Sequence, residues 1–335
     1  MKLLTVTVPC YNSQDYMDKC IDSLLAGEGR IEIIIIDDGS VDKTGHIADS
    51  YAQRYPDTVK VVHQPNGGHG EGINQGLARA TGIYFKVVDS DDQLSGLPAF
   101  LDLLEQCEAE GGVDLAVTNY RYCHTDGKGD RSIRYNNALP SDRIFDWEDT
   151  KRFRIHQLLS IHSCTFRTET MRRYSQPLPK HVFYEDNLMI YQCLPGIQRM
   201  RYMDTDLYLY TIGREGQSVA EETTKKRYTH QLLVNERCFC SSHLDQIRSR
   251  RLKKYMKHEM FLLFSFGIFF SRLNCTKSAD RDLKQSWRTC KTFDKKWTRH
   301  FRWFTPLTFL CLPGPLGRLV VIFFYRLANK IVRFN

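Results

Sequence analysis

Four apolar runs punctuate the N-terminal third of the chain, at Leu3–Val8, Ile31–Ile36, Val59–His63 and Ile83–Val88. Runs such as Ile33-Ile34-Ile35-Ile36 show no polar alternation, so both faces of the strand must be covered, as in a parallel sheet clad by helices on each side. Between the runs, apolar positions recur at helical spacing: Tyr16, Met17, Cys20, Ile21, Leu24 and Leu25, then Ile47, Ala48, Tyr51, Ala52 and Tyr55. The pattern predicts a doubly wound α/β unit, βαβαβαβ, over residues 1–110. Residues 111–222 are less regular, with strands predicted at Leu115–Asn119 and Leu207–Thr211 and a helix from Glu185 to Leu194. From 223 to 335 the pattern turns helical and basic, and Arg248-Ser249-Arg250-Arg251-Leu252-Lys253-Lys254 reads as a solvated helix face.

Ligands of open α/β sheets collect beyond the carboxyl ends of the strands. Those ends read Pro9-Cys10-Tyr11-Asn12, Asp37-Asp38-Gly39-Ser40, Gln64-Pro65-Asn66-Gly67-Gly68 and Asp89-Ser90-Asp91-Asp92. Three carboxylates within four residues repel one another and call for a compensating cation, for which a divalent metal carrying a phosphate ester is a candidate. The same tetrapeptide also reads as a turn leading into a helix, with Asp92 as the cap. Gly68-His69-Gly70-Glu71-Gly72 follows the third strand and lacks G-x-G-x-x-G spacing, and there is no Walker loop. A nucleotide would therefore be held by carboxylates and metal instead of a glycine cradle.

Composition narrows the class. A chain of 335 residues, 42% hydrophobic and 26% charged, is globular. Its net charge is +8; eight of the 47 Lys and Arg lie from Lys295 onward without one acid, leaving 39 basic against 39 acidic residues before them. Eleven cysteines without a Cys-x-x-Cys pair point to free thiols in a reducing compartment. At the N-terminus, Pro9 and Asn12 break the apolar stretch before a signal-peptide core could form.

The longest apolar piece of the tail, Leu319–Tyr325, is far short of the ~20 residues that span a bilayer. Arg326, Asn329, Lys330 and Arg333 fall on one side of a helix, which suits a peripheral site at the cytoplasmic face of the membrane; packing on the catalytic domain is the alternative. No RNA-binding motif appears, and nucleic acid is not an expected partner. The oligomeric state stays open.

With these motifs in hand, the chain resembles the family 2 glycosyltransferases of GT-A fold, in their non-processive form. The likeness runs through Val6-Thr7-Val8-Pro9-Cys10-Tyr11-Asn12, Asp37-Asp38-Gly39-Ser40, Asn66-Gly67-Gly68 with Asn74, Gly76, Ala80 and Gly82, and Asp89-Ser90-Asp91-Asp92. It continues through Phe183-Tyr184-Glu185-Asp186 and the segment from Tyr208 to Val219.

The resemblance implies a GT-A doubly wound, mostly parallel sheet with helices on both faces, followed by a helical basic extension. It places Pro9, Tyr11, Asp38 and Asn66 at the nucleotide, with Asp38 accepting from the N3–H of a uracil. Asp89 would hold the ribose and join Asp91 in ligating Mg²⁺ or Mn²⁺. Asp186 would be the general base of an inverting transfer, with Glu185 orienting the acceptor or raising the pKa of Asp186; without the resemblance the pair reads as acids at a helix N-terminus that stabilise its dipole. Arg214 and Ser218 would clamp the diphosphate, although an ordinary surface Arg in a Gly-rich turn reads equally well. His69 and His181 are read as structural.

The donor implied is a UDP-sugar and the acceptor a lipid-linked or cell-surface glycan. Absence of a Gln-x-x-Arg-Trp segment favours single addition over polymerisation, and His69-Gly70-Glu71-Gly72 departs from the family's small-residue and Arg pattern, leaving the donor sugar open. The rival readings are a sugar nucleotidyltransferase, which normally carries a Gly-x-Gly-x-Arg loop where this chain has Pro9-Cys10-Tyr11-Asn12, and an inactive membrane-associated scaffold.

Overall fold

The computed structural model describes residues 2–125, 127, 129–213, 226–274, 276–312, 317 and 319–326. Contacts divide the chain into two compact units, Met1–Phe153 with Leu159–Arg214, and Arg154–Leu158 with Glu215–Asn335.

In the first unit β1 (Leu4–Cys10), α1 (Met17–Leu25), β2 (Ile31–Asp37), α2 (Thr44–Arg54), β3 (Val59–His63), α3 (His69–Arg79) and β4 (Tyr84–Val87) alternate as the apolar pattern predicts. β5 (Gln93–Leu94), α4 (Leu97–Ala109), β6 (Leu115–His124), β7 (Arg131–Ile133), β8 (Ile144–Phe145), β9 (Cys164–Arg167), α5 (Thr168–Tyr174), α6 (Glu185–Cys193) and β10 (Met200–Ile212) follow. All strands join one sheet of order β3-β2-β1-β4-β9-β6-β10-β5, with β7 beside β6 and β8 beside β10. The first four strands are parallel, and β9 inserts antiparallel between β4 and β6. This is the mostly parallel GT-A architecture.

Every residue of β1 and β2 is buried, which explains why these strands read as unbroken apolar runs. Pro9 sits inside β1 without cost. Val88 N donates to Thr7 O and Asp38 N to Cys10 O, so the alternation turns Pro9 toward β4 just where the ladder, last paired at Thr7–Val87, ends. α3 lies tight on β1 because its inner face is glycine: a Cβ on Gly76 would collide with Thr7 Oγ1, and one on Gly72 would stand 2.9 Å from Pro9 Cβ. Gly72 and Gly76 thus serve helix–strand packing.

The second unit contains α7 (Tyr228–Ser241), α8 (Arg250–Leu273), α9 (Lys277–Phe293), α10 (Lys295–Trp303) and α11 (Leu307–Leu310). Its core is aromatic, with the Phe264 ring 4.7 Å from Trp287 and 5.4 Å from Phe301. Among the described residues no helix is long and apolar enough to cross a membrane. Trp303, Phe304, Phe309, Leu319, Phe323 and Phe324 are exposed. Most of the tail face predicted around Arg326–Arg333 lies outside the described residues.

Candidate active site

Hydrogen bonds join the loops at the four strand ends. Val41 N donates to Asn12 Oδ1 and Asn12 N to Ser40 Oγ, joining the ends of β1 and β2, while the Ser13 and Ser90 hydroxyls meet at 2.8 Å and join β1 to β4. Asn12, His181 and Tyr184 all adopt positive φ without being glycine, a costly conformation; Asn12 follows Tyr11, Tyr184 precedes Glu185, and His181 donates its backbone N–H to Gly67 O.

Asp38 is 3% exposed. Its carboxylate accepts from Gln64 Nε2 at 2.6 Å, Gly67 N at 2.7 Å and Gly68 N at 2.8 Å, so it pins the β3–α3 loop and keeps about one of its four acceptor positions for a ligand. Gly68 is needed here, because its φ is +84° and a Cβ would stand 2.9 Å from His181 N. Asn66 is exposed on this loop, and Tyr11 lies on the rim at 52% exposure.

His69, the first residue of α3, joins two predicted site residues. Its Nε2 is 2.9 Å from Asp89 Oδ1 and its Nδ1 2.8 Å from Glu185 Oε1. Burial opposes charge on the ring, but the hydrogen bonds and charges of both carboxylates outweigh it and lift the His69 pKa well above 6.5. Asp89 mirrors this: burial raises its pKa, yet the hydrogen bond and charge of His69 carry it down to about 2.

Asp186, the next residue after Glu185, goes the other way. Burial first, then the Glu185 charge, pushes its carboxyl up to about 7, although His69 and the Asn187 backbone pull it down. Asn187 Nδ2 donates to Asp186 Oδ1 at 3.0 Å.

The reading of Asp92 as a helix cap is overturned, since α4 begins at Leu97 with Gly96 at its N-cap. Asp92 is instead fully buried, accepting from Tyr208 Oη and Thr211 N, each at 2.7 Å. Burial and the Asp89 charge push its pKa well up.

Among the described residues, Asp89, Asp92 and His162 bring ligand atoms within 4.8 Å of one another. His162 Nδ1 is buried with no hydrogen-bond partner among the described residues, and burial lowers the ring's pKa to about 4, leaving it neutral as a ligand must be. Two Asp side chains and an imidazole fit Mn²⁺ or a similar ion once Asp92 gives up its proton, each Asp92 oxygen accepting one hydrogen bond and retaining one lone pair. Asp91 is partly buried in the turn and is not one of these three residues.

Sequence reasoning missed His69, His162 and Lys86. Lys86 lies within an apolar strand, is 1% exposed and donates to His162 O at 2.9 Å and Cys164 O at 3.3 Å, with its pKa lowered by burial to about 8. The His162 ring stacks on Tyr210 at 4.5 Å and lies tilted against Tyr208 at 4.7 Å. Small residues flanking His69 on both sides were the signal available for that residue; His162 carried none. Arg214 and Ser218, the predicted diphosphate clamp, lie outside the described residues.

Comparison with known proteins agrees with this architecture. The S. aureus TarS 1–349 structure in complex with UDP-GlcNAc superposes with a TM-score of 0.68 at 18% identity, covering 97% of this chain and 92% of that one. The mannosyltransferase PcManGT from Pyrobaculum calidifontis, in complex with GDP-Man and Mn²⁺, gives 0.56 at 13% identity over 95% and 84%. The uncharacterized glycosyltransferase EpsJ of Bacillus subtilis is 31% identical over 219 residues, covering 62% of this chain and 60% of that protein's length. The model of the family described as glycosyl transferase family 2 matches residues 5–180, more than half of the chain. The chain belongs to glycosyl transferase family 2.

Proposed function

We propose that the protein is a metal-dependent, inverting glycosyltransferase that moves one sugar from a UDP-sugar to a lipid-linked or cell-surface glycan. The observation that carries the reading is the placement of Glu185 and Asp186 at the start of α6, with Glu185 linked through His69 to Asp89 at the acidic end of β4; burial and the Glu185 charge there push Asp186 up to about 7. A general base works best when its pKa lies near the working pH, where it is both ionised and able to take a proton.

In the proposed reaction Asp186 accepts the proton of an acceptor hydroxyl as that oxygen bonds to the anomeric carbon. The bond from that carbon to the diphosphate oxygen breaks, and UDP leaves on the opposite face. A divalent ion, when bound, neutralises charge on the leaving diphosphate. Asp89 is common to both candidate ligand sets, Asp89 with Asp91 and Asp89 with Asp92 and His162. Residues 1–110 would hold the nucleotide sugar through Pro9, Tyr11, Asp38, Asn66 and Asp89, and residues 111–222 the acceptor. Residues 223–335 would bring the enzyme to the inner face of the membrane; exposed Trp303, Phe304 and Phe309, in an acid-free stretch containing Arg299 and Arg302, support that placement.

A thermal-shift panel of nucleotide sugars with and without Mn²⁺ tests the reading, since a ligand that binds the native state raises its apparent stability. UDP-sugars should stabilise only with the ion, and UDP should then be released in the presence of acceptor. Pyrophosphate release from a nucleoside triphosphate would instead establish the nucleotidyltransferase, and no metal-dependent nucleotide binding the scaffold.

A further inference from the structure

We propose that His69 is a positioning residue that ties Glu185, beside the base, to Asp89 at the donor end of the crevice, so that both carboxylates are aligned for the same turnover. The proposal rests on the transfer reading above.

His69 reaches across the fold. Its partners lie 116 and 20 residues away, at the first turn of α6 and the end of β4, and both contacts, at 2.8 and 2.9 Å, are short. Both ring nitrogens stand within hydrogen-bond distance of a carboxylate oxygen, so one planar side chain bridges two acids that would otherwise repel each other. The surroundings are cut to admit the contact. A Cβ on Gly70 would lie 2.9 Å from Glu185 Cγ, so the glycine after His69 opens the space Glu185 occupies.

Glu185 is almost wholly buried, and Asp89 holds its backbone N–H against Tyr208 Oη at 3.1 Å. The rigid imidazole therefore connects two side chains whose backbones are already fixed. A charge-assisted hydrogen bond to each selects its rotamer. Asp186 follows Glu185 on the same helical turn, so what holds Glu185 also steadies the base. Misplacement of a reacting group by about 1 Å can cost about 10²-fold in rate.

The test compares His69→Arg, His69→Gln and His69→Leu in the full chain. UDP affinity in Mn²⁺ is measured by calorimetry, and initial rates with the UDP-sugar selected by the panel. The Leu variant should lose UDP affinity in Mn²⁺, because Asp89 loses its partner, by less than it loses kcat, and the Arg variant should regain part of both. The kcat should fall by about 10²-fold in the Leu variant, less in Gln, and recover in part in Arg, whose guanidinium can donate to both carboxylates.

Unchanged kcat in His69→Leu would overturn the proposal. So would parallel loss of UDP binding and kcat in all three, the signature of a merely structural contact. If the parent binds UDP with Mn²⁺ but transfers no sugar, the transfer reading fails instead. His69 is then judged by a thermal-unfolding double-mutant cycle of His69→Leu with Glu185→Gln: additive effects overturn the link, and coupling beyond additivity sustains it.

Discussion

Asp89 is hydrogen-bonded to His69 and Asp186 follows Glu185, the other carboxylate on that histidine, yet the acidities of the two aspartates diverge. Both are pushed up by burial. At Asp89 the His69 hydrogen bond and charge reverse the effect and bring the carboxyl to about 2. At Asp186 the dominant neighbour is an anion, Glu185, and the carboxyl stays near 7. One therefore remains a fixed negative charge over the whole working range, as a ligand for a cation or a ribose should. The other can exchange a proton near neutrality. The difference lies in what stands next to each carboxyl: an imidazolium at one, a carboxylate at the other.

The largest effect that would sharpen this contrast comes from neutralising each in turn. Asp186→Asn should lower transfer by about 10²–10⁴-fold, the usual worth of a positioned base, and leave UDP–Mn²⁺ binding intact. Asp89→Asn should abolish UDP–Mn²⁺ binding itself. Calorimetry beside initial-rate kinetics separates the two, and an Asp89 variant that binds normally but cannot turn over would invert the assignment.

Metal removal comes next. Chelation with EDTA should abolish transfer, and added Mn²⁺ should restore it. Asp91→Asn and Asp92→Asn then discriminate between the two candidate ligand sets, because only the true ligand should raise the Mn²⁺ concentration needed for half-maximal rate. If neither variant moves it, Asp89 does not share the ion with this turn.

How much of the contrast could be read in the sequence depends on the range of the contacts. The four parallel strands were legible because strands buried on both faces read as continuous apolar runs, and the helix of Glu185-Asp186 because its acids open an apolar stretch. The strand expected at Leu207–Thr211 is the end of a 13-residue strand, β10, whose earlier part alternates with polar Asp204 and Asp206 and hid its extent. β9 has four residues and pairs with strands distant in sequence, so no local period marks it. Lys86 reads as a flaw in an apolar strand until its two carbonyl partners across β9 are known. Asp92 looked like a cap because local pattern cannot foresee Tyr208, whose hydroxyl arrives from 116 residues away. His69 failed for the same reason, its charge being set by a carboxylate across the fold.

A smaller effect concerns stability. The Asp186 carboxyl is raised in the folded state from an ordinary 3.8 to about 7. Between those values the unfolded chain has released its proton and the folded chain has kept it, so this group makes stability fall as pH rises through that window. Asp186→Asn removes the slope. The variant should match the parent near pH 4 and exceed it above pH 7 by roughly 1–2 kcal/mol, allowing for solvent screening. Urea unfolding at both pH values checks this, and an equal offset at each would show that the carboxyl is not shifted.

The smallest effect isolates the neighbour that separates the two aspartates. The pH profile of kcat/KM should rise through an acid limb with its midpoint near 7, as Asp186 loses its proton. Burial is the main cause of that elevated value and the Glu185 charge the second, so Glu185→Gln should move the midpoint down without restoring an ordinary carboxyl. A displacement of about one unit is in keeping with a single adjacent like charge. His69 would then face one carboxylate in place of two, and Asp89 would keep its partner. The donor side should be left unchanged, with the same affinity for UDP and Mn²⁺. A limb that stays put would mean that burial alone tunes the base, and the two aspartates would differ by depth instead of by neighbour.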